Sequence, residues 1–192
     1  MQTNQISFCW SGEKVFVTTA EGRIRILSYP DLEPVMRLSY DSEREFALTG
    51  HTSSCLTAEL QPTGRYLATG GSDSIIALWD TQEWICQRTI TTMVGAVRSI
   101  STHRATRLPL FPLTTTPLLT HIAGWTFDGS YIVGGSDEGT GLDVTHAETG
   151  DKIHTFKTAG ACPVVAWAPT RYWLAYSDAG ALRIVGVDVD KK

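Results

Sequence analysis

Short runs of apolar and β-branched residues alternate along this chain with clusters of glycine, proline, serine and aspartate. The pattern is clearest at residues 56–60, 66–69 and 75–79, where the gaps between the runs have the length of hairpin turns. None of these runs is long enough to form a helix. The pattern therefore predicts short antiparallel strands and an all-β protein.

Residues 50–80 also resemble a WD40 repeat, which is one four-stranded blade of a β-propeller. They open with Gly50-His51, turn at residues 61–64 and 72–74, and close with Trp79-Asp80. The resemblance implies a buried hydrogen-bonded network within the blade, formed by His51, Thr69, Asp73 and Trp79. In this network the Asp carboxylate accepts from one imidazole N–H, and the hydroxyl joins the other ring nitrogen to the indole.

A catalytic role for these polar residues is the alternative, because a histidine, an aspartate and a hydroxyl also make up a nucleophile triad. Thr69, however, lies on a strand predicted to be interior, and no glycine-rich nucleophile elbow surrounds it. We therefore expect His51, Thr69, Asp73 and Trp79 to be structural residues. No catalytic, cofactor-binding or metal-binding residue is predicted, and the chain is expected not to be an enzyme.

The composition gives no electrostatic reason to expect nucleic acid as the main partner. The chain has 192 residues, of which 42% are hydrophobic and 19% charged, and its net charge is −4. Nucleic-acid binding usually needs a basic surplus, so direct RNA contact is possible but unsupported by charge. The candidate basic residues form no stripe with interleaved aromatics; they are Arg23, Arg25, Arg65, Arg98 and Arg104.

The cysteines and histidines have no metal-ligand spacing. The four cysteines contain no CxxC pair and are expected to be isolated core residues of a reducing compartment. The histidines are scattered along the chain; they are His51, His103, His121, His146 and His154. No signal peptide and no apolar run of membrane-spanning length are visible, so we expect a soluble intracellular protein. No membrane and no small-molecule substrate are expected among its partners.

The blade pattern repeats along the whole chain. Residues 1–192 are predicted to form a partial propeller of about four units, at residues 5–38, 50–90, 94–157 and 162–188. Only the second unit has all four network residues. The first keeps the hydroxyl, at Thr18, and the third keeps the acid, at Asp137.

The third unit contains a surplus segment. The turn residues Gly64 and Gly129 are 65 residues apart, whereas Gly129 and its counterpart Arg171 are 42 apart, so about 23 residues are extra. They fall at residues 102–125, a stretch without any aspartate or glutamate. This segment is either an interaction loop or a translated intron retained in the gene model, and we favour the intron. Sequencing the transcript separates the two.

Several short sequence segments resemble segments of the WD40 subunits of THO complexes, which couple transcription to mRNA export. They lie, in the expected order, at residues 26–35, 62–70, 148–152 and 165–169. The resemblance implies a non-catalytic scaffold in the nucleus, held among other THO/TREX protein subunits. It covers about four C-terminal blades of a family expected to close a seven-bladed ring. We therefore expect an open, incomplete arc with exposed apolar ends, which either belongs to a truncated chain or is closed by a partner.

A second candidate function is that of a substrate receptor or adaptor in another complex, such as a cullin-based ubiquitin ligase. Many WD40 receptors of that kind carry an arginine two residues after the Trp-Asp pair. Here Trp79-Asp80 is followed by Thr81-Gln82, so that arginine is missing.

Overall fold

The computed structural model describes residues 2–35, 47–102, 123–134, 140–162 and 164–186. In these residues sixteen strands form four sheets, and each sheet packs face to face on the next. The described residues contain no helix that is long and apolar enough to cross a membrane.

The first two sheets are four-stranded antiparallel meanders. The first consists of β1 (Thr3–Phe8), β2 (Lys14–Thr19), β3 (Arg23–Ser28) and β4 (Ala47–Thr49). The second consists of β5 (Cys55–Leu60), β6 (Tyr66–Gly71), β7 (Ile76–Asp80) and β8 (Cys86–Ile90). All six residues of β6 are buried, because this strand lies in the middle of the stack with a sheet on either face.

The third and fourth sheets differ from the first two in strand number. The third contains β9 (Ile100–Thr102), β10 (Ala123–Trp125), β11 (Tyr131–Gly134), β12 (Gly141–His146) and β13 (Lys152–Lys157). The fourth contains β14 (Val165–Trp167), β15 (Trp173–Asp178) and β16 (Ala181–Gly186). Its described part therefore has three strands, and the third sheet has five.

The core lies between the sheets, in three apolar layers. One layer joins the first and second sheets and includes Phe16, Ile24 and Trp79. The other layers lie between the second and third sheets and between the third and fourth. Each layer forms because alternate side chains of neighbouring strands point to the same face of their sheet.

Polar contacts between inner strands of successive sheets add to this packing. The Ser7 hydroxyl of β1 donates to the carbonyl of Ala58 on β5 at 2.8 Å. The Ala58 N–H donates back to the side-chain carbonyl of Gln5 at 3.0 Å. Between the third and fourth sheets, the Trp167 indole donates to the carbonyl of Gly124 at 3.1 Å. These bonds fix the relative position of the innermost strands.

The outer edge of the first sheet extends beyond the boundary near residue 38 that the sequence indicated. Pro34 forms an isolated antiparallel bridge with Leu27 of β3, and β4 (Ala47–Thr49) pairs with the other end of β3. The outer position is therefore occupied by two separate segments. The short run Ala47–Thr49 shows no alternation of its own, which is why the pattern did not predict it.

The third sheet also departs from its predicted layout. The strand expected at residues 94–101 is present only at its end, because β9 begins at Ile100, and Val94 is 54% exposed. The strand that pairs with β11 is β10, and β9 lies beside it in parallel. Between these two strands, residues 103–122 lie outside the described part of the chain.

Candidate structural network and interaction surfaces

Four side chains of the second sheet form a continuous hydrogen-bonded chain. His51 Nδ1 lies 3.1 Å from both carboxylate oxygens of Asp73, and His51 Nε2 lies 2.8 Å from Thr69 Oγ1. The Trp79 indole Nε1 lies 2.8 Å from the same hydroxyl oxygen. Thr69 is completely buried on β6, and Trp79 lies on the neighbouring strand β7, opposite Leu67. The structure thus brings together all four residues that the sequence singled out.

The partners fix the direction of each hydrogen bond. The indole of Trp79 can only donate to the Thr69 oxygen, and the Asp73 carboxylate can only accept from His51 Nδ1. In the neutral imidazole, Nε2 is therefore the acceptor and receives the Thr69 hydroxyl proton. His51 then carries its proton on Nδ1 and donates it to Asp73. This assignment leaves no donor or acceptor of the chain without a partner, which a buried polar network requires.

The Asp73 carboxylate also binds the backbone. It accepts from the N–H of Thr52 at 2.9 Å and from the N–H of Ile75 at 3.3 Å. Burial alone raises the pKa of Asp73, but the hydrogen bonds from His51 and from these two N–H groups outweigh it, so the net pKa lies below its usual value. The carboxylate is therefore ionised at neutral pH and holds the loop before β5 against the turn after β6.

A close approach at Gly71 makes room for this arrangement. A Cβ atom at Gly71 would lie 2.5 Å from Asp73 Oδ1 and 2.6 Å from His51 Nδ1. Either contact is shorter than real Cβ atoms accept, so a side chain here would break the His51–Asp73 bond. Sequence reasoning did not include Gly71 in the network. The only signal was the Gly-Gly pair that ends β6 directly before the turn.

The same geometry bears on the catalytic interpretation of this site. The Thr69 hydroxyl is fully buried and already bonded to His51 and Trp79, so a substrate has no path to it. His146 and His154 lie on β12 and at β13, away from this network, and His103 and His121 lie outside the described residues. Within the described ranges, no group of three or more His, Cys, Asp or Glu residues could hold a metal ion.

The fourth sheet carries an acid that plays a comparable part. Asp178, the last residue of β15, accepts from the backbone N–H of Ala159 at 2.7 Å. It thereby holds the loop that precedes its sheet, as Asp73 does through Thr52. The sequence contains the signal in the Ser-Asp pairs at residues 72–73 and 177–178, which the sequence analysis of the fourth unit did not use. In the third sheet, Asp137 lies outside the described residues.

In the first sheet a glycine stands at the position of Asp73. Gly22 has a positive φ of 77°, and a Cβ atom there would lie 2.5 Å from the carbonyl oxygen of Ser53 and 2.8 Å from that of His51. The turn of the first sheet is therefore packed directly on the loop that carries His51. This contact between two backbones joins the network to the neighbouring sheet.

A second set of contacts joins the turns between the first two antiparallel strands of neighbouring sheets. Gln61 Nε2 donates to the carbonyl of Gly129 at 2.5 Å, which links the second sheet to the third. The Tyr172 hydroxyl donates to Asp128 Oδ2 at 2.7 Å, which links the third sheet to the fourth. Arg65 pairs with Glu148 nearby on the exposed surface. These turns therefore form a connected rim along one side of the stack.

The Asp128–Tyr172 bond gives this rim a titratable element. Burial raises the pKa of Asp128, but hydrogen bonds from Ser130, Tyr172 and Thr126 outweigh it and lower the pKa to about 2. The hydrogen bond to Asp128, followed by burial, raises the pKa of Tyr172 to about 12. The bond is therefore present as Tyr–OH and carboxylate across the neutral range.

Tyr172→Phe is expected to lower the free energy of unfolding by about 1 kcal/mol at pH 7, because it deletes one hydrogen bond and keeps the ring. The folded pKa of Asp128 is below its usual value, so its contribution is present above about pH 4 and is lost as the pH falls through about 2. Urea unfolding of the parent and the variant between pH 7 and pH 2 measures the difference in their free energies of unfolding. This difference should become smaller as the pH falls. A difference independent of pH would contradict this link.

The two ends of the stack expose apolar side chains. On β1, Ile6 is 59% and Phe8 is 56% exposed, and on β16, Leu182 is 73% and Ile184 is 63% exposed. Inside the stack the equivalent sheet faces are covered by the next sheet. These end faces are the candidate interaction surfaces of the described chain.

The residues considered for other functions have partners within the chain. Arg65 contacts Glu148, and its guanidinium lies 5.1 Å from the ring of Tyr66. The Thr81 hydroxyl, which follows Trp79-Asp80, donates to the carbonyl of Gly64 at 2.8 Å. Arg104 lies outside the described residues. The four cysteines are free thiols, two buried and two half-buried.

Face-to-face sheets of this kind, together with the His51–Asp73–Thr69–Trp79 chain, define a WD40 β-propeller, of which this chain forms an open part. The family described as "WD domain, G-beta repeat" matches residues 42–80. Across 97% of its length the chain is similar to THO complex subunit 3 of Arabidopsis thaliana, with 29% identity over 197 residues. The THO resemblance and the propeller fold expected from the sequence are thereby confirmed. The chain spans 52% of that relative.

Solved structures support the fold. The β-propeller domain of Cps50 (Swd1) from Myceliophteria thermophila superposes with a TM-score of 0.66 and 17% identity, over 97% of this chain and 54% of that one. A chain of the mitotic checkpoint complex superposes with a TM-score of 0.67 and 16% identity, over 97% of this chain and 50% of that one. At these identities the likeness concerns the fold alone. The chain therefore matches about half of each of these two chains.

Proposed function

We propose that this chain serves as a non-catalytic scaffold in a nuclear THO/TREX assembly that couples transcription to mRNA export. The observation that carries the proposal is its similarity to THO complex subunit 3, which extends over 97% of the chain. A match to one repeat alone would support only a propeller, because propellers serve many functions. The similarity also includes all four sheets and not only residues 50–80.

The chemistry of the described residues fits a scaffold. The polar groups of the second-sheet network are bonded to one another, so they are occupied in maintaining the fold. The net charge of −4 favours protein partners over RNA. The exposed apolar residues of β1 and β16 offer the kind of surface that protein partners cover.

Affinity purification of the tagged chain from nuclear extract, followed by mass spectrometry, tests this proposal. We expect the other THO subunits to be recovered with it. The amount of THO subunits that co-purify with the double variant Leu182→Ser, Ile184→Ser should be at least tenfold lower, because the variant removes an exposed apolar surface. The control variant Gln87→Ala, Thr89→Ala changes exposed positions on β8 and should recover the same amount. Absence of THO subunits from the purified parent chain would overturn the proposal.

A further inference from the structure

The third sheet contains two strands where the second sheet has a single innermost strand. β9 and β10 run parallel and are paired residue for residue, with Ile100 opposite Ala123, Ser101 opposite Gly124, and Thr102 opposite Trp125. β10 in turn pairs antiparallel with β11. Every other neighbouring pair within the four sheets is antiparallel.

β9 occupies the side of the third sheet that faces the second. The Ile100 N–H donates to Thr57 Oγ1 at 3.2 Å, and the Thr102 hydroxyl donates to Glu59 Oε1 at 2.6 Å. β10 faces the fourth sheet, where the carbonyl of Gly124 accepts from Trp167. β9 therefore lies between the inner strand of the second sheet and the inner strand of the third.

The two strands are related by a sideways shift alone. Residues opposite each other in a parallel pair without register shift point to the same face of the sheet, and neighbouring strands are about 4.8 Å apart. Ile100 and Ala123 are both buried and belong to the same apolar layer between the second and third sheets. Moving β9 into the place of β10 would keep its direction, its register and the inward side of each residue.

We propose that β9 and β10 are alternative innermost strands of the third sheet. In a chain without Thr102–Gly124, Ile100-Ser101 joins directly to Trp125 and takes the place of Ala123-Gly124 against β11. The segment removed has 23 residues, the same number by which the third unit exceeds the repeat spacing. Two independent observations, the strand register and the turn spacing, thus define the same surplus.

The local space accepts the exchange. A Cβ atom at Gly124 would lie 3.5 Å from Ser101 Oγ and 3.6 Å from Trp167 Cδ1, both ordinary contact distances. The first contact disappears when Ser101 itself occupies this position. Trp167 bonds to the backbone carbonyl of Gly124, and a serine supplies the same acceptor. Ile100 adds volume at Ala123, but it also vacates its own place in the same layer.

Two deletion variants of the full chain test the proposal. Deletion of 102–124 keeps the register, whereas deletion of 103–124 leaves Thr102 before Trp125 and slips the strand by one residue. The slip moves Ser101 into the buried place of Ala123 and turns Ile100 to the opposite face. We expect the first variant to melt cooperatively at a temperature no lower than the parent, and the second to melt at least about 5 °C lower.

Hydrogen exchange of the Trp167 indole N–H gives a second measurement. In the variant without residues 102–124 this N–H should remain protected to within about threefold of the parent, because Ser101 provides the acceptor. In the slipped variant the protection should fall at least tenfold. If the first variant does not fold, loses this protection, or melts as low as the slipped one, β9 cannot replace β10 and the proposal is overturned.

Discussion

Replacing Asp73 by alanine is expected to lower the free energy of unfolding by about 2–3 kcal/mol, which corresponds to a fall in Tm of roughly 5–10 °C. The variant leaves His51 Nδ1 and the N–H groups of Thr52 and Ile75 without their acceptor. The loop before β5 and the turn after β6 then lose their common anchor. Thermal and urea unfolding of the purified chain measure the effect.

The control for this prediction is Asp31→Ala, at an exposed position in the turn after β3, which should change stability by less than about 0.5 kcal/mol. The pKa of folded Asp73 is lowered, so its stabilisation is present above its usual pKa and is lost as the pH falls through the lowered value. The difference in the free energy of unfolding between parent and variant should therefore become smaller as the pH falls. The variant should add no specific binding defect per folded molecule. An unchanged Tm would show that Asp73 is not a folding residue.

The second sheet was largely predictable from the sequence because each of its signals is local. The strands expected at residues 56–60, 66–69 and 75–79 correspond to β5, β6 and β7, since alternation and turn residues act over a few positions. The candidate network was equally accessible, because the resemblance of residues 50–80 to a WD40 repeat implies it, with His51, Asp73 and their partners all within one blade. Nothing in that network depends on a distant segment.

The third sheet could not be predicted in the same way, because its arrangement depends on competition between segments. β9 and β10 are each three residues long, and either one has a suitable pattern for the inner position. Local pattern cannot decide which of them pairs with β11. The choice depends on the packing of Ile100 against the second sheet and of Trp167 on Gly124, which are long-range contacts.

Contacts between sheets were also missed, and Gly22 is the clearest case. The sequence indicated only that the first unit lacks the acid of the network. In the structure, the missing side chain is what lets the turn approach the carbonyl oxygens of His51 and Ser53. A one-dimensional alignment records the loss of a carboxylate at this position, whereas the three-dimensional packing requires that no Cβ be present.

Gly22→Ala is accordingly expected to lower the free energy of unfolding by about 3–4 kcal/mol, which is more than backbone strain alone explains. Gly12 provides a matched control, because it has almost the same φ, 74° against 77°, but nothing lies within 4 Å of its Cβ position. Gly12→Ala should therefore cost only about 1 kcal/mol, the strain of a positive φ. The difference between the two variants, measured by urea unfolding, isolates the clash with His51 and Ser53. Equal losses would mean that the first two sheets are not held together at Gly22.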